Sequence, residues 1–304
     1  MSKALKTPLR YPGGKSRAIT KLFQFIPDLS KYDCYIEPFL GGGSVALEVT
    51  KRYPHIKVRV SDKYAPLVNF WVALQKYPDE LTELLTQMKT DHGTPALAKS
   101  LFIDCKDMLN DNDTSTTYGQ KAAAFYVLNK CSFSGLTESS SFSPQASENN
   151  FTMRGIEKLP EYSKLIKDWV IMPFDYEEVI RGSVRCPVSL PKGSFIYMDP
   201  PYDIKDNLYG KSGSMHKGFD HDVFAEVVKD IPYDTLVSYN ADQLVKNRFA
   251  DWKTAEFDHT YTMRSVGDYM KDQNTRKELV LFNYMTPEEI AEFKAMCGGE
   301  EVIL

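Results

Sequence analysis

The sequence predicts an α/β fold: a largely parallel sheet covered by helices on both faces and interrupted by a helical insertion. Three observations lead there. Three short apolar runs read as strands, each closed by Gly, Asp or Pro. Helical segments follow the first and third of them, and strands alternating with helices build parallel sheets buried on both faces. Between the second and third runs a long helical stretch breaks the alternation.

The first strand is "CYIEPF" (34–39), and "GGGSVALEVTKR" after it is a glycine turn opening a helix. The second is "KVRVSD" (57–62). From about 69 to 131 the pattern is helical, in "NFWVALQKYPDELTELLTQMK", "PALAKSLFIDCKDML" and "GQKAAAFYVLNK". From 132 to 153 it becomes polar and rich in Ser and Asn, and reads as a loop or hairpin carried by the insertion. The α/β pattern resumes near Trp169 with "WVIMPFDYEEVI". The third run, "SFIYMDPPY" (194–202), leads through a soft stretch to helical "HDVFAEVVKD". "TLVSYN" (235–240) and "KELVLFNY" (277–284) are late strands. The expected organisation is a discontinuous domain, 1–68 and 159–304, around an insertion at 69–158.

The 304 residues, 42% of them hydrophobic, are ample for a sizeable core. The sequence has no apolar run of about 18 residues, so no membrane span is expected. The basic N-terminus lacks an apolar core segment, so no signal peptide is expected either. Five scattered cysteines without CxxC spacing fit reduced thiols in a cytosolic protein better than disulfides or zinc. The five histidines form no HExxH pair, and no metal is expected. A net charge of −4 argues against a sequence-blind nucleic-acid binder. Residues 1–27, however, carry Lys3, Lys6, Arg10, Lys15, Arg17 and Lys21 with no acid: a solvated arm or a phosphate-facing one.

Three stretches carry chemistry. "LRYPGGKSRA" (9–18) ends like a phosphate-binding P-loop, but Leu9 stands where that loop needs its first glycine, which excludes the reading. "EPFLGGGSVA" (37–46) holds Gly41-x-Gly43-x-x-Ala46, with Asp62 at a distance suited to ribose. It suits an adenosine-containing ligand, either a nicotinamide cofactor or S-adenosylmethionine. The plain alternative is an ordinary strand-to-helix turn, and the acid of Glu37-Pro38-Phe39 leans toward S-adenosylmethionine. "DPPY" (199–202) decides more. It ends a strand at the sheet's carboxyl side, where open α/β sheets hold their ligands. Pro200 and Pro201 lock the backbone and leave carbonyls without amide donors. A carboxylate, a fixed carbonyl and an aromatic ring side by side suit an aromatic amine. The acceptors take the –NH2 hydrogens while the ring stacks on the base. Acceptors that bind the amine as it pyramidalises favour the transition state.

Taken in order, "RYPGGK", "EPFLGGGSV", "SDKYAPLVN", "FYVLNKCSFSGL", "FDYEEVI", "DPPY" and "KELVLFNY" resemble the motifs of the Dam-type (D12 class, alpha group) DNA adenine-N6 methyltransferases, over about residues 9–284. The resemblance implies a Rossmann-like S-adenosylmethionine-dependent methyltransferase fold with a helical target-recognition insertion. It places Tyr11, Pro12, Gly13, Gly14 and Lys15 on the methyl donor, with Glu37, Phe39, Gly41, Gly43 and Ser44 around the glycine turn. Asp62 is implied on the ribose hydroxyls, and Asp175 and Tyr176 beside the donor adenine. Asp199 is implied near the donor's methionine end and on the target amine, with Pro200 and Pro201 holding the loop and Tyr202 stacking on the target base. The base must first be flipped out of the duplex. Lys130, Ser132, Phe133, Ser134 and Glu138 are the implied DNA-facing residues. Family members that read GATC carry F-N-G-x-x-R, whose arginine suits guanine. Glu138 stands at that position here, so a target other than GATC, or a relaxed one, is expected. The segment after Glu138 is read as folding on DNA, and 203–219 as either a flap over the base or plain disorder. The implied partner is double-stranded DNA, with a cognate restriction endonuclease as a candidate second partner. The protein itself is expected to be a monomer or weak dimer, in the cytoplasm of a bacterial cell or phage-infected host. The competing readings are methylation of another amine (cytosine N4, RNA adenine or protein glutamine), a nicotinamide-dependent oxidoreductase, and a non-catalytic DNA-binding relative.

Overall fold

The structure is a computed structural model, and it describes residues 6–11, 13–110, 116–135, 140–184, 189–202, 218–259, 276–286 and 288–289. Pro12, Glu138 and residues 203–217 lie outside these, so the expectations for them are not addressed by it.

Among the described residues, seven strands form one sheet: β1 (Cys34–Glu37), β2 (Lys57–Ser61), β3 (Val170–Met172), β4 (Ser194–Met198), β5 (Asp234–Asn240), β6 (Lys253–His259) and β7 (Arg276–Phe282). Their order is β3-β2-β1-β4-β5-β7-β6. The first five run parallel, and β7 is antiparallel to both β5 and β6. The strand order reverses between β1 and β4, and a crevice opens beyond the carboxyl ends of strands at such a point. This is the Rossmann-like arrangement expected.

Both faces are buried because neighbouring residues point to opposite sides. Phe195 and Tyr197 of β4 enter one core, while Ile196 and Met198 enter the other. β6 was not foreseen. Its sequence "KTAEFDH" is mostly polar, and Ala255 and Phe257 pack on the core, as suits an edge strand covered on one face.

The helices Ala65–Lys76, Pro78–Asp91, Pro95–Asn110 and Tyr118–Cys131 lie between β2 and β3. They share a single core with one face of the sheet: Phe70, Phe102 and Phe125 belong to the same cluster as Tyr35 and Val58. The expected boundary at residue 69 falls inside the Ala65–Lys76 helix, whose Trp71 ring packs against the glycine turn. The Ser/Asn-rich stretch 132–153, read as a loop or hairpin, contains the helix Pro144–Asn150, and a second helix, Met153–Ile156, starts at its last residue. Ser and Asn disfavour helix interiors, but Ser143 and Thr152 act as N-caps, accepting from the amides of Ala146 and Gly155. The hairpin element is present in short form, with Ser132 bridging Phe142. Cys34, Cys105 and Cys131 are buried free thiols.

Candidate active site

β4 delivers Asp199 to the carboxyl edge of the sheet, and the N-terminal segment folds back over it. The Lys15 ammonium donates to both oxygens of Asp199, at 2.7 and 2.8 Å. It also donates to the Tyr202 hydroxyl at 2.6 Å and to the Gly13 carbonyl at 3.2 Å. Glu278 of β7 lies 3.2 Å from the same ammonium and accepts from the Tyr202 hydroxyl. The Ser238 hydroxyl of β5 donates to Asp199 Oδ1 at 3.0 Å and lies 2.8 Å from the Tyr197 hydroxyl. The Lys15 and Glu278 side chains are 2% and 0% exposed, whereas the Asp199 side chain is 21% exposed.

One cation thus sits between two carboxylates. Burial raises the Asp199 pKa; Lys15 pulls it down and Glu278 pushes it up, and the balance stays above the ordinary value. Burial works against the Lys15 ammonium, but the two carboxylates outweigh it and hold its pKa above the usual range. Glu37, at the end of β1, is also buried, and burial raises its pKa well above normal, with the Tyr35 hydroxyl donating to it at 2.7 Å.

The glycine turn was read as space for a ligand to approach. At two positions the structure shows what already comes close. A Cβ on Gly41 would lie 2.9 Å from the Tyr11 ring, and one on Gly43 would lie 2.8 Å from Trp71. Both have positive φ, of 48° and 65°. These glycines admit the protein's own aromatic rings. Ser44 is buried at the start of the Ser44–Arg52 helix. Asp62 accepts from the Gly41 and Tyr64 amides, each at 2.9 Å, and burial pushes its carboxyl up to about 6. Phe39 stacks on Tyr176 at 5.3 Å, so residues chosen from separate motifs meet. Asp175 caps the Tyr176–Arg181 helix and pairs with Lys63 at 3.1 Å.

The recognition candidates divide. Phe133 is 43% exposed. Lys130 lies over the Tyr126 ring, and burial, aided by Arg10, pulls its pKa down to about 8. Ser132 is fully buried, with its carbonyl accepting from the Arg10 guanidinium at 2.8 Å, so it supports this surface rather than forming it. Ser134 lies in the 3-10 turn Phe133–Gly135.

Sequence reasoning missed Glu278, Ser238 and Asn129. An acid inside the apolar run "KELVLF" was the signal for Glu278, since charged residues are rarely fully buried unless paired. Asn129 is fully buried on the Tyr118–Cys131 helix. It accepts from the Arg10 amide at 2.8 Å and donates to the Arg10 and Gly135 carbonyls at 2.6 and 3.1 Å. This amide ties the N-terminal motif to the Phe133–Gly135 turn. Asn129→Leu leaves three backbone groups without that partner and should cost about 2–4 kcal/mol, measured by denaturant unfolding.

A sequence model of the D12 class N6 adenine-specific DNA methyltransferases matches residues 11–263. The chain belongs to that family. The methyltransferase is 27% identical over 207 residues to the Type II methyltransferase M.MjaIII of Methanocaldococcus jannaschii, covering 65% of this chain and 69% of the relative. It is 23% identical over 299 residues to the Type II methyltransferase M1.LlaDCHI of Lactococcus lactis subsp. cremoris, covering 90% of this chain and 94% of that one. As an adenine-specific DNA methyltransferase it needs DNA and a methyl donor. Among its described residues no helix is long and apolar enough to cross a membrane, and no cluster of His, Cys, Asp or Glu is arranged to hold a metal.

Proposed function

We propose that this methyltransferase uses S-adenosylmethionine to methylate the N6 amine of an adenine flipped out of duplex DNA, at a site other than GATC. The observation that carries the reading is the bidentate Lys15–Asp199 pair, which joins the N-terminal motif to the DPPY loop at the strand-order reversal. The residues present suit the donor. A cationic sulfur fits beside a buried cluster with one ammonium and two carboxylates. Ribose hydroxyls suit Asp62, and the Phe39–Tyr176 pair offers an aromatic border for adenine. When bound, the donor supplies an already activated methyl group.

The protein's own groups then have three tasks. Asp199 and the Pro200 carbonyl accept the two amine hydrogens and orient the nitrogen. The Tyr202 ring stacks on the base. As the amine lone pair is committed, Asp199 stays hydrogen-bonded to an amine hydrogen and is placed to take the proton the nitrogen then releases, and much of the rate gain comes from this positioning. Lys130, Phe133, Ser134 and Glu138 belong to the DNA-facing surface, and residues 69–158 contain the recognition unit. Glu138 accepts from a cytosine amine more readily than it addresses guanine. The Type II names of the relatives support a role beside a restriction endonuclease, and a DNA substrate supports a cytoplasmic site of action.

The test is tritiated methyl transfer to unmethylated DNA followed by nucleoside analysis and sequencing. Label in N6-methyladenine outside GATC is the expected result; label in another nucleoside, or confined to GATC, refutes the corresponding part. A second expectation concerns pH. The ionised Asp62 carboxylate is the form that accepts from hydroxyls, and it is lost as pH falls through about 6. Donor affinity should therefore drop roughly tenfold between pH 7 and pH 5. Equilibrium binding that stays flat over this range removes Asp62 from the ribose.

A further inference from the structure

We infer that Glu278 is a positioning residue for methyl transfer: through Lys15 and Tyr202 it keeps one acceptor site of Asp199 available and holds the stacking ring in place. The inference rests on the proposed roles of Asp199 and Tyr202 toward the target base.

Acceptor counting comes first. A carboxylate offers about four lone-pair sites. Lys15 donates to both oxygens of Asp199 and Ser238 donates to Oδ1, which leaves about one site, on Oδ2. A lysine paired with Asp199 alone would concentrate its ammonium there. Glu278, 3.2 Å away and fully buried, shares that ammonium and draws it toward β7. The remaining acceptor site of the partly exposed Asp199 side chain is then left for an incoming amine.

The second part concerns the ring. The Tyr202 hydroxyl accepts from Lys15 and donates to Glu278. A ring that only stacked on a base would need no hydroxyl. Here two oppositely charged groups grip its far end, and the ring also stacks on Tyr239 at 6.1 Å. Glu278 reaches both Lys15 and Tyr202 from a strand that the DPPY loop does not belong to, so its position registers β7 against the catalytic loop.

Glu278→Gln keeps the shape and an acceptor but removes the charge. The expected result is a tenfold or greater fall in single-turnover transfer to DNA, with donor affinity changed less than threefold and the melting temperature little changed. The acid limb of the pH profile should also move to lower pH, because Glu278 pushes Asp199 upward. The other groups around Asp199 are Lys15 from the N-terminal segment, Tyr197 on β4, Ser238 on β5 and Tyr35 and Glu37 on β1, all unchanged in this variant. Tyr202→Phe, which leaves Glu278 intact, should also lose about tenfold. Glu278→Gln should cost less in that background than in wild type.

A wild-type rate and pH profile for Glu278→Gln overturn the inference. So does a loss that follows only the folded fraction, or a wild-type rate for Tyr202→Phe. Asp199→Ala in the same assay keeps the two levels apart. If it transfers normally, the underlying reading fails; if it is inactive while Glu278→Gln is normal, only the role of Glu278 fails.

Discussion

Asp199→Ala should lower single-turnover methyl transfer by a hundredfold to a thousandfold, about 3 kcal/mol or more of lost transition-state stabilisation, while leaving a folded protein. The two halves of this expectation have different causes. Activity falls because the proposed acceptor for the target amine is gone, and the Pro200 carbonyl alone cannot orient both hydrogens. Stability survives because of the charge count in the buried cluster. Wild type places one ammonium against two carboxylates, and removing Asp199 leaves Lys15 balanced by Glu278. What is lost from the fold is a set of hydrogen bonds, including that from Ser238, rather than the last partner of a buried charge. Rapid-quench transfer and a thermal melt on the same preparation check both halves. Near-normal transfer removes Asp199 from the amine, and a collapse in stability contradicts the balance between Lys15 and Glu278.

The sheet was legible where burial on both faces writes itself into the sequence. "CYIE", "KVRVS" and "SFIYM" are apolar or β-branched runs closed by turn residues, and they became β1, β2 and β4. β6 escaped because an edge strand needs apolar residues at alternate positions only, and two of them do not make a signal. The helices at Pro144–Asn150 and Met153–Ile156 escaped because a polar, Ser- and Asn-rich stretch shows no helical apolar period, while the caps that start them, Ser143 and Thr152, are single residues. At the site, the motif residues were legible one by one, but their partners were not. Lys15 and Asp199 are 184 positions apart, and nothing in either motif says that the lysine binds the acid. Glu278 and Asn129 are harder still, since their roles come from burial beside distant groups and a sequence shows burial only through periodicity. The glycine turn was legible as a place of close approach, but that Tyr11 and Trp71 are groups packed against Gly41 and Gly43 was not.

Lys15→Met should be the most destabilising single change at this site. It leaves Asp199 and Glu278 facing each other without the cation that sits between them. Breaking a buried pair by removing one partner costs about 3–5 kcal/mol, on the order of 10 °C in melting temperature for a chain of this size. The pH dependence identifies the cause. In wild type the Lys15 pKa is raised, so its contribution is intact below the ordinary lysine range and is lost only as pH rises through that higher folded value. Between pH 5 and pH 8 wild type therefore owes no pH dependence to Lys15. In the variant, the strongest influence lowering Asp199 is gone, while burial and Glu278 still push it upward. An acid whose pKa is higher folded than unfolded holds a proton that the unfolded chain has released, so its folded state weakens as pH rises through that interval. The defect of Lys15→Met relative to wild type should thus be clearly smaller at pH 5, where Asp199 more readily holds a proton, than at pH 8. Thermal melts of both proteins at the two pH values measure the difference. An equal defect at both would mean that the loss comes from packing and the Tyr202 hydrogen bond, and that the carboxylates do not depend on Lys15 for their charge.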